Sequence, residues 1–182
     1  MITSIKARFA TTLLCAGLGS AANAATQGSL GATSTGSVSI SASVPNRTQI
    51  TGLSDISFAN ADPTTAASNA QNICVWSNTS TKGYNVTATG SGAAGAFTLA
   101  SGALPVVPYS VQWSQSSGQA SGTSLTKAVA LTGQISTATR PTCSSAPATT
   151  ASLITTIAAT DLQNMVSAAS YTGTLTLVVA PE

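Results

Sequence analysis

From residue 37 to residue 44 the chain reads Ser-Val-Ser-Ile-Ser-Ala-Ser-Val. Val38, Ile40, Ala42 and Val44 share one parity, and four serines share the other. Successive side chains of a strand point to opposite faces, so this alternation predicts a β-strand with one apolar face. A loose arm of small residues, 25–36, precedes it. Further strands are predicted at 48–53, 56–58, 72–77, 84–89, 97–99, 109–113, 127–131, 152–157 and 172–179. These are short runs rich in Val, Ile, Thr and aromatics, separated by Gly, Pro, Asn and Ser clusters. Helix signals are nearly absent; residues 161–165 are expected to form one helical turn, with Asp161 as its N-cap. Segments 118–123 and 144–150 read as exposed loops. Many short strands between turn clusters predict an all-β sandwich.

The last predicted strand repeats the first pattern. Tyr171, Gly173, Leu175, Leu177 and Val179 share one parity; Thr172, Thr174, Thr176 and Val178 share the other. The sequence ends three residues beyond Val179, so the far edge of this strand is expected to stay uncovered. An open apolar edge invites pairing with another strand. Residues 37–44 have the length and pattern to supply one by strand addition, with Val38, Ile40, Ala42 and Val44 as knobs and Leu175, Leu177 and Val179 lining the acceptor groove.

Lys6 and Arg8 precede an apolar run, 9–22, and then Ala22-Asn23-Ala24. This is the pattern of a secretion signal cleaved after Ala24. The run is too short to span a bilayer. Leu14 stands where a lipoprotein signal takes a small residue, so Cys15 is expected to leave with the peptide. The expected organisation is a signal peptide at 1–24, an N-terminal extension at 25–45 and one β-domain at 46–182. No later stretch is long and apolar enough for a transmembrane helix. Cys74 and Cys143 then remain, and an even pair in an exported chain reads as a disulfide.

Charge is scarce, at 5% Asp, Glu, Lys and Arg. Beyond residue 24, Arg47, Lys82, Lys127 and Arg140 balance Asp55, Asp62, Asp161 and Glu182. Phosphate binding needs clustered Lys and Arg, so nucleic acid is not an expected partner. Low charge also forgoes the repulsion that keeps proteins monomeric. The chain has no histidine, which removes Ser-His-Asp and Cys-His catalysis and most zinc sites. No enzyme, metal site or cofactor is expected. Residues 90–95 match the dinucleotide fingerprint Gly-x-Gly-x-x-Gly, but 97–99 reads as strand and no helix follows to hold a pyrophosphate. They are expected to form a small-residue hairpin turn. Trp76 shares strand parity with Cys74 and is expected to pack in the core beside the disulfide; Trp113, Tyr84 and Tyr109 are also expected to be core residues. Asn46, Asn78 and Asn85 head Asn-x-Ser/Thr matches that arise readily in so Ser/Thr-rich a chain.

Taken in order, the signal, the alternating extension Val38-Ser39-Ile40-Ser41-Ala42-Ser43-Val44-Pro45, the stretch from Leu104-Pro105 through Tyr109-Ser110-Val111-Gln112-Trp113, and the closing strand Tyr171 to Val179 resemble bacterial chaperone–usher pilins. The likeness is to the alternate, colonisation-factor class and to spore coat U-like secreted proteins, and it covers most of the chain beyond residue 24. Two features depart from the pattern. Shaft subunits of that class generally lack cysteines, and Pro181 stands where better-known pilins carry a penultimate tyrosine. The resemblance implies an immunoglobulin-like sandwich lacking one strand, completed by the N-terminal donor strand of a neighbouring subunit. It implies a structural subunit of a surface pilus or fimbria that supports adhesion or biofilm formation. Its partners would be like subunits, a periplasmic chaperone and an outer-membrane usher, with export through the periplasm to the cell surface. The alternatives are a self-contained secreted β-sandwich binding module, with 37–44 folded into its own sheet, and a spore coat U-like coat protein.

Overall fold

The computed structural model describes residues 25–182; the expected secretion signal, 1–24, lies outside the described residues. Contacts divide the chain after Val44, leaving Pro45–Glu182 as one compact unit. That unit contains ten strands: β1 (Thr48–Thr51), β2 (Ala67–Ser77), β3 (Gly83–Gly90), β4 (Thr98–Leu99), β5 (Val107–Pro108), β6 (Ser110–Ser114), β7 (Thr123–Ser124), β8 (Ala130–Ile135), β9 (Ala151–Ile157) and β10 (Leu175–Pro181). One short helix, α1 (Ala159–Gln163), lies between β9 and β10. The fold is all-β, as the alternation predicts.

The strands form a five-stranded sheet in the order β1-β2-β9-β6-β7, a three-stranded sheet β10-β3-β8 and a two-stranded ribbon β4-β5, all antiparallel. The two larger sheets share one core. Ile73 and Val75 of β2, Val111 and Trp113 of β6, and Ala151 and Leu153 of β9 pack with Tyr84, Val86 and Ala88 of β3. A second cluster, Val107, Ile157 and Leu162, closes one end with Phe58, Met165 and Tyr171 against it.

Trp113 and Tyr84 join the sheets at the centre. Their rings meet edge-to-face with centroids 6.3 Å apart, and Trp113 Nε1 donates to Tyr84 Oη at 3.2 Å. Burial pushes the Tyr84 pKa up to about 12, against the smaller opposing effect of the Trp113 hydrogen bond. The phenol is neutral when protonated, so a raised folded pKa gives stability that is whole below pH 10 and is lost as pH rises through about 12. The domain is expected to lose about 2–3 kcal/mol over that window. Tyr84→Phe should flatten the loss, as read from urea midpoints at stepped pH; an equal slope in both proteins would refute the assignment.

Several local expectations are corrected. Residues 56–58 form no strand, although Phe58 still packs inward. The strand expected at 127–131 begins at Ala130, because a turn closed by Val129 N–H on Thr126 O puts Ala128 at φ 58°. The N-cap of α1 is Ala158, and Asp161 sits in the first turn without a side-chain capping bond. Residues 90–95 join strands of different sheets rather than a hairpin, and Ala93–Gly95 is a single 3-10 turn. A Cβ at Gly90 would collide with the Ala96 carbonyl, so the small residues there serve a close backbone approach.

The disulfide forms between Cys74 and Cys143, with Cα atoms 5.9 Å apart and 69 residues between them. Trp76 packs beside it as expected, but in a cluster apart from the main core. Cys74 and Trp76 alternate with Ile73 and Val75, so they lie on the face of β2 turned away from the main core. With Ala138 they make a separate cluster under the segment 136–150. Ser136 Oγ and Thr150 Oγ1 bind the Val75 carbonyl and anchor the two ends of that segment.

A second segment, 115–122, lies over the same outer face. Gly118 N–H donates to Asn72 Oδ1 at 2.6 Å, and Gln119 N–H to Ser152 Oγ at 3.1 Å. Ser152 is therefore buried although its parity points away from the core. β9 is buried on both faces and shows no clean alternation.

Candidate functional site

Among the described residues, no three His, Cys, Asp or Glu side chains gather in one place. Asp62 is a turn residue: its carboxylate accepts from Thr64 N–H at 2.8 Å and Thr64 Oγ1 at 2.7 Å, and these bonds hold its pKa below the usual value. A cleft of about 400 Å³ beside Ser91, Gly92, Ala96, Thr98 and Val106 has no titratable side chain in its lining. No described helix is long and apolar enough to cross a membrane. The features that stand out are sheet edges.

β10 is an edge strand of its sheet, with β3 its neighbour on one side. Residues in an antiparallel pair alternate between exchanging both hydrogen bonds and turning them away. Ser91 N–H donates to Thr174 O at 2.9 Å, and Glu182 N–H donates to Gly83 O at 3.1 Å, in one unbroken register with Leu175↔Gly90 and Pro181↔Tyr84. The even-numbered residues are thus the ones bonded to β3. Leu175, Leu177 and Val179 turn their N–H and C=O groups outward while their side chains, half-buried, pack against the core. Thr176 and Val178 are exposed on the opposite face. Pro181 falls in the outward set, so its missing N–H removes no bond to β3. That is where proline is tolerated in a sheet.

β1 is an edge strand of the five-stranded sheet. Asn78 N–H donates to Arg47 O at 3.1 Å, and the β1–β2 register continues through Thr48↔Ser77 to Thr51↔Cys74. By the same alternation, Thr48 and Ile50 turn their backbone groups away from β2. Ile50 packs against the main core. Thr48 Oγ1 donates to the Val179 carbonyl at 3.1 Å and ties the two edges together at one end. Leu175, Leu177 and Val179, the residues expected to line an acceptor groove, lie together along one edge. Thr48 and Ile50, which sequence reasoning did not include, lie along the other. Their signal was present in the predicted strand 48–53, but nothing local says which edge a strand will face.

The other edge of the three-stranded sheet is blunted. β8 carries a register irregularity opposite Tyr84–Val86 and a Gly133 at φ 71°. Gly133 N–H donates to Glu182 Oε2 and Ile135 N–H to Gln115 Oε1, both at 2.8 Å. Bulges and capped amides are means by which proteins stop an edge from pairing. β10 shows neither.

The expected knob segment, 37–44, carries no ladder. Its one backbone pairing is at Ser37, which exchanges two 2.9 Å hydrogen bonds with Thr26. Val38, Ile40 and Val44 are 72%, 91% and 76% exposed, and Ala42 is exposed as well. The predicted strand is absent for a physical reason: an extended segment becomes a strand only when a partner takes its backbone groups. Trp76, Trp113 and Tyr84 lie in packed clusters, and Tyr109 is half-buried against Phe97.

The chain matches no protein-family model and no curated protein sequence.

Proposed function

We propose that this protein is a structural subunit of a bacterial surface pilus or fimbria, built from like copies by donor-strand complementation, in support of adhesion or biofilm formation. One observation carries the reading: β10 presents the outward backbone groups of Leu175 and Leu177 above half-buried apolar side chains, on an edge whose amides lack the caps that close β8 and whose Val179 carbonyl alone is engaged, by Thr48. In this reading the domain is an immunoglobulin-like sandwich lacking one strand, and the missing strand pairs with the open edge of β10 along Leu175 and Leu177. Val38, Ile40, Ala42 and Val44 of a second copy are the knobs that fill it. Main-chain hydrogen bonds give affinity and the knobs give register, as in other strand additions. The exposed knobs and the unladdered backbone of 37–44 support the same reading. A self-contained module would lay those residues into its own sheet.

Export through the periplasm, and a chaperone strand that holds the groove before assembly at an outer-membrane usher, belong to this reading. So does the near-zero net charge of the chain beyond residue 24, which sets no long-range repulsion between copies. The test is oligomerisation. Protein purified above micromolar concentration is expected to give a ladder of oligomers by light scattering, and Ile40→Asp is expected to abolish it by placing a charge among apolar side chains. A stable monomer at every concentration would overturn the proposal.

A further inference from the structure

One side chain ties down the segment where the arm enters the domain. Asn78 Nδ2 donates to the Pro45 carbonyl at 2.9 Å, and Arg47 N–H donates to Asn78 Oδ1 at 2.6 Å. The Asn78 N–H also donates to the Arg47 carbonyl at 3.1 Å. A single residue in the β2–β3 turn thus holds peptide groups on both sides of Asn46. The chemistry needs a short primary amide, which donates from one atom and accepts at another; a carboxylate lacks the donor and a hydroxyl lacks the span.

The neighbouring residues narrow the remaining freedom. Pro45 has its φ locked by its ring. The residue before a proline is restricted to extended backbone, and that residue is Val44, the last of the knobs. No spacer of glycine or serine separates Val44 from the tethered Pro45. The Asn78-Thr79-Ser80 match to a glycosylation sequence is accounted for at the same time, since its amide nitrogen is already engaged.

We infer that Asn78, together with Pro45, is a joint lock: it fixes the angle at which a domain leaves the neighbouring groove that its arm fills. This rests on the fibre reading above. Without the lock, rotation about the backbone of residues 45–47 would let successive domains swing independently. With it, the angle between them is set by the domain itself.

The test uses the full exported chain as wild type, Asn78→Ala, Asn78→Asp and Pro45→Ala. Fibres are imaged by electron microscopy, and the spread of angles between successive domains is measured. Asn78→Ala is expected to broaden that spread at least twofold while the oligomer ladder is unchanged. Asn78→Asp keeps the acceptor for Arg47 and loses the donor to Pro45, so an intermediate spread is expected. Fibres of Asn78→Ala with the wild-type spread would overturn the lock and leave the fibre reading standing. If that variant fails to fold, unchanged spreads in both Asn78→Asp and Pro45→Ala would overturn it equally. A wild type that forms no fibres would overturn the fibre reading, and the lock with it.

Discussion

A domain beginning at Pro45 is expected to gain about 10 °C in its unfolding midpoint when a peptide of residues 36–44 is added at about a hundred times its dissociation constant. Ligand at that excess stabilises the folded state by about 2.7 kcal/mol. A domain of this size shifts by about 4 °C for each kcal/mol. In the fibre reading the source is the open edge of β10. Leu175 and Leu177 have half-buried side chains and outward backbone groups, and Thr48 closes one end on the Val179 carbonyl. Burying a Val or Ile side chain contributes about 1.5–3 kcal/mol. Ordering the peptide backbone costs about 1–2 kcal/mol per residue. The knobs and the new main-chain bonds must therefore act together, and a peptide with one defective knob should fail. Ile40→Asp in the peptide is expected to remove the whole shift, because the site offers no partner for a carboxylate. A truncated domain that melts cooperatively at high temperature and ignores the peptide would mean that its sheets are already complete. Polymerisation would then be abandoned in favour of a search for a ligand.

Removing the disulfide is the second large effect. Cys74→Ala with Cys143→Ala is expected to cost about 4 kcal/mol, since the bond closes a 69-residue loop in the unfolded chain. The midpoint should fall by about 15 °C at the same conversion. The position of the bond shapes the rest of the prediction. It lies outside the main core, so Trp113, Tyr84 and the inward residues of β2 and β9 keep their packing. The variant should fold with an unchanged Trp113–Tyr84 environment in near-ultraviolet circular dichroism, while amide exchange quickens over 136–150. A loss below about 1 kcal/mol would show that Ser136 and Thr150, on the Val75 carbonyl, hold that segment without the covalent link.

Much of the fold was readable from the sequence wherever one face of a strand meets the core and the other meets water. β3 and β10 are of this kind, and both were anticipated to within three residues at each end. The strand predicted at 152–157 forms as β9, but its two-sided burial is not legible, because the cover over Ser152 comes from residues 115–122, some thirty positions earlier. β5 and β7, of two residues each, are too short to carry a period. The strand predicted from Lys127 begins only at Ala130, because a turn intervenes that Lys127-Ala128 does not announce.

The candidate site divides in the same way. The apolar parity of Leu175, Leu177 and Val179 and that of Val38, Ile40, Ala42 and Val44 are properties of the residue order. So are the absence of histidine, the scarcity of charge and the pairing left to Cys74 and Cys143 once Cys15 is set aside. These follow from the sequence by itself, because side-chain direction alternates along any extended backbone and composition is simply counted. The tertiary structure alone decided that β10 is an edge and β8 a blunted one, that Thr48 lies against Val179, that Cys74 lies on the outer face, and that Asn78 ties down Pro45 and Arg47. Alternation says which face of a strand is buried. It does not say which strand lies beside it, because backbone hydrogen bonds are the same for every residue and their partners come from distant parts of the chain.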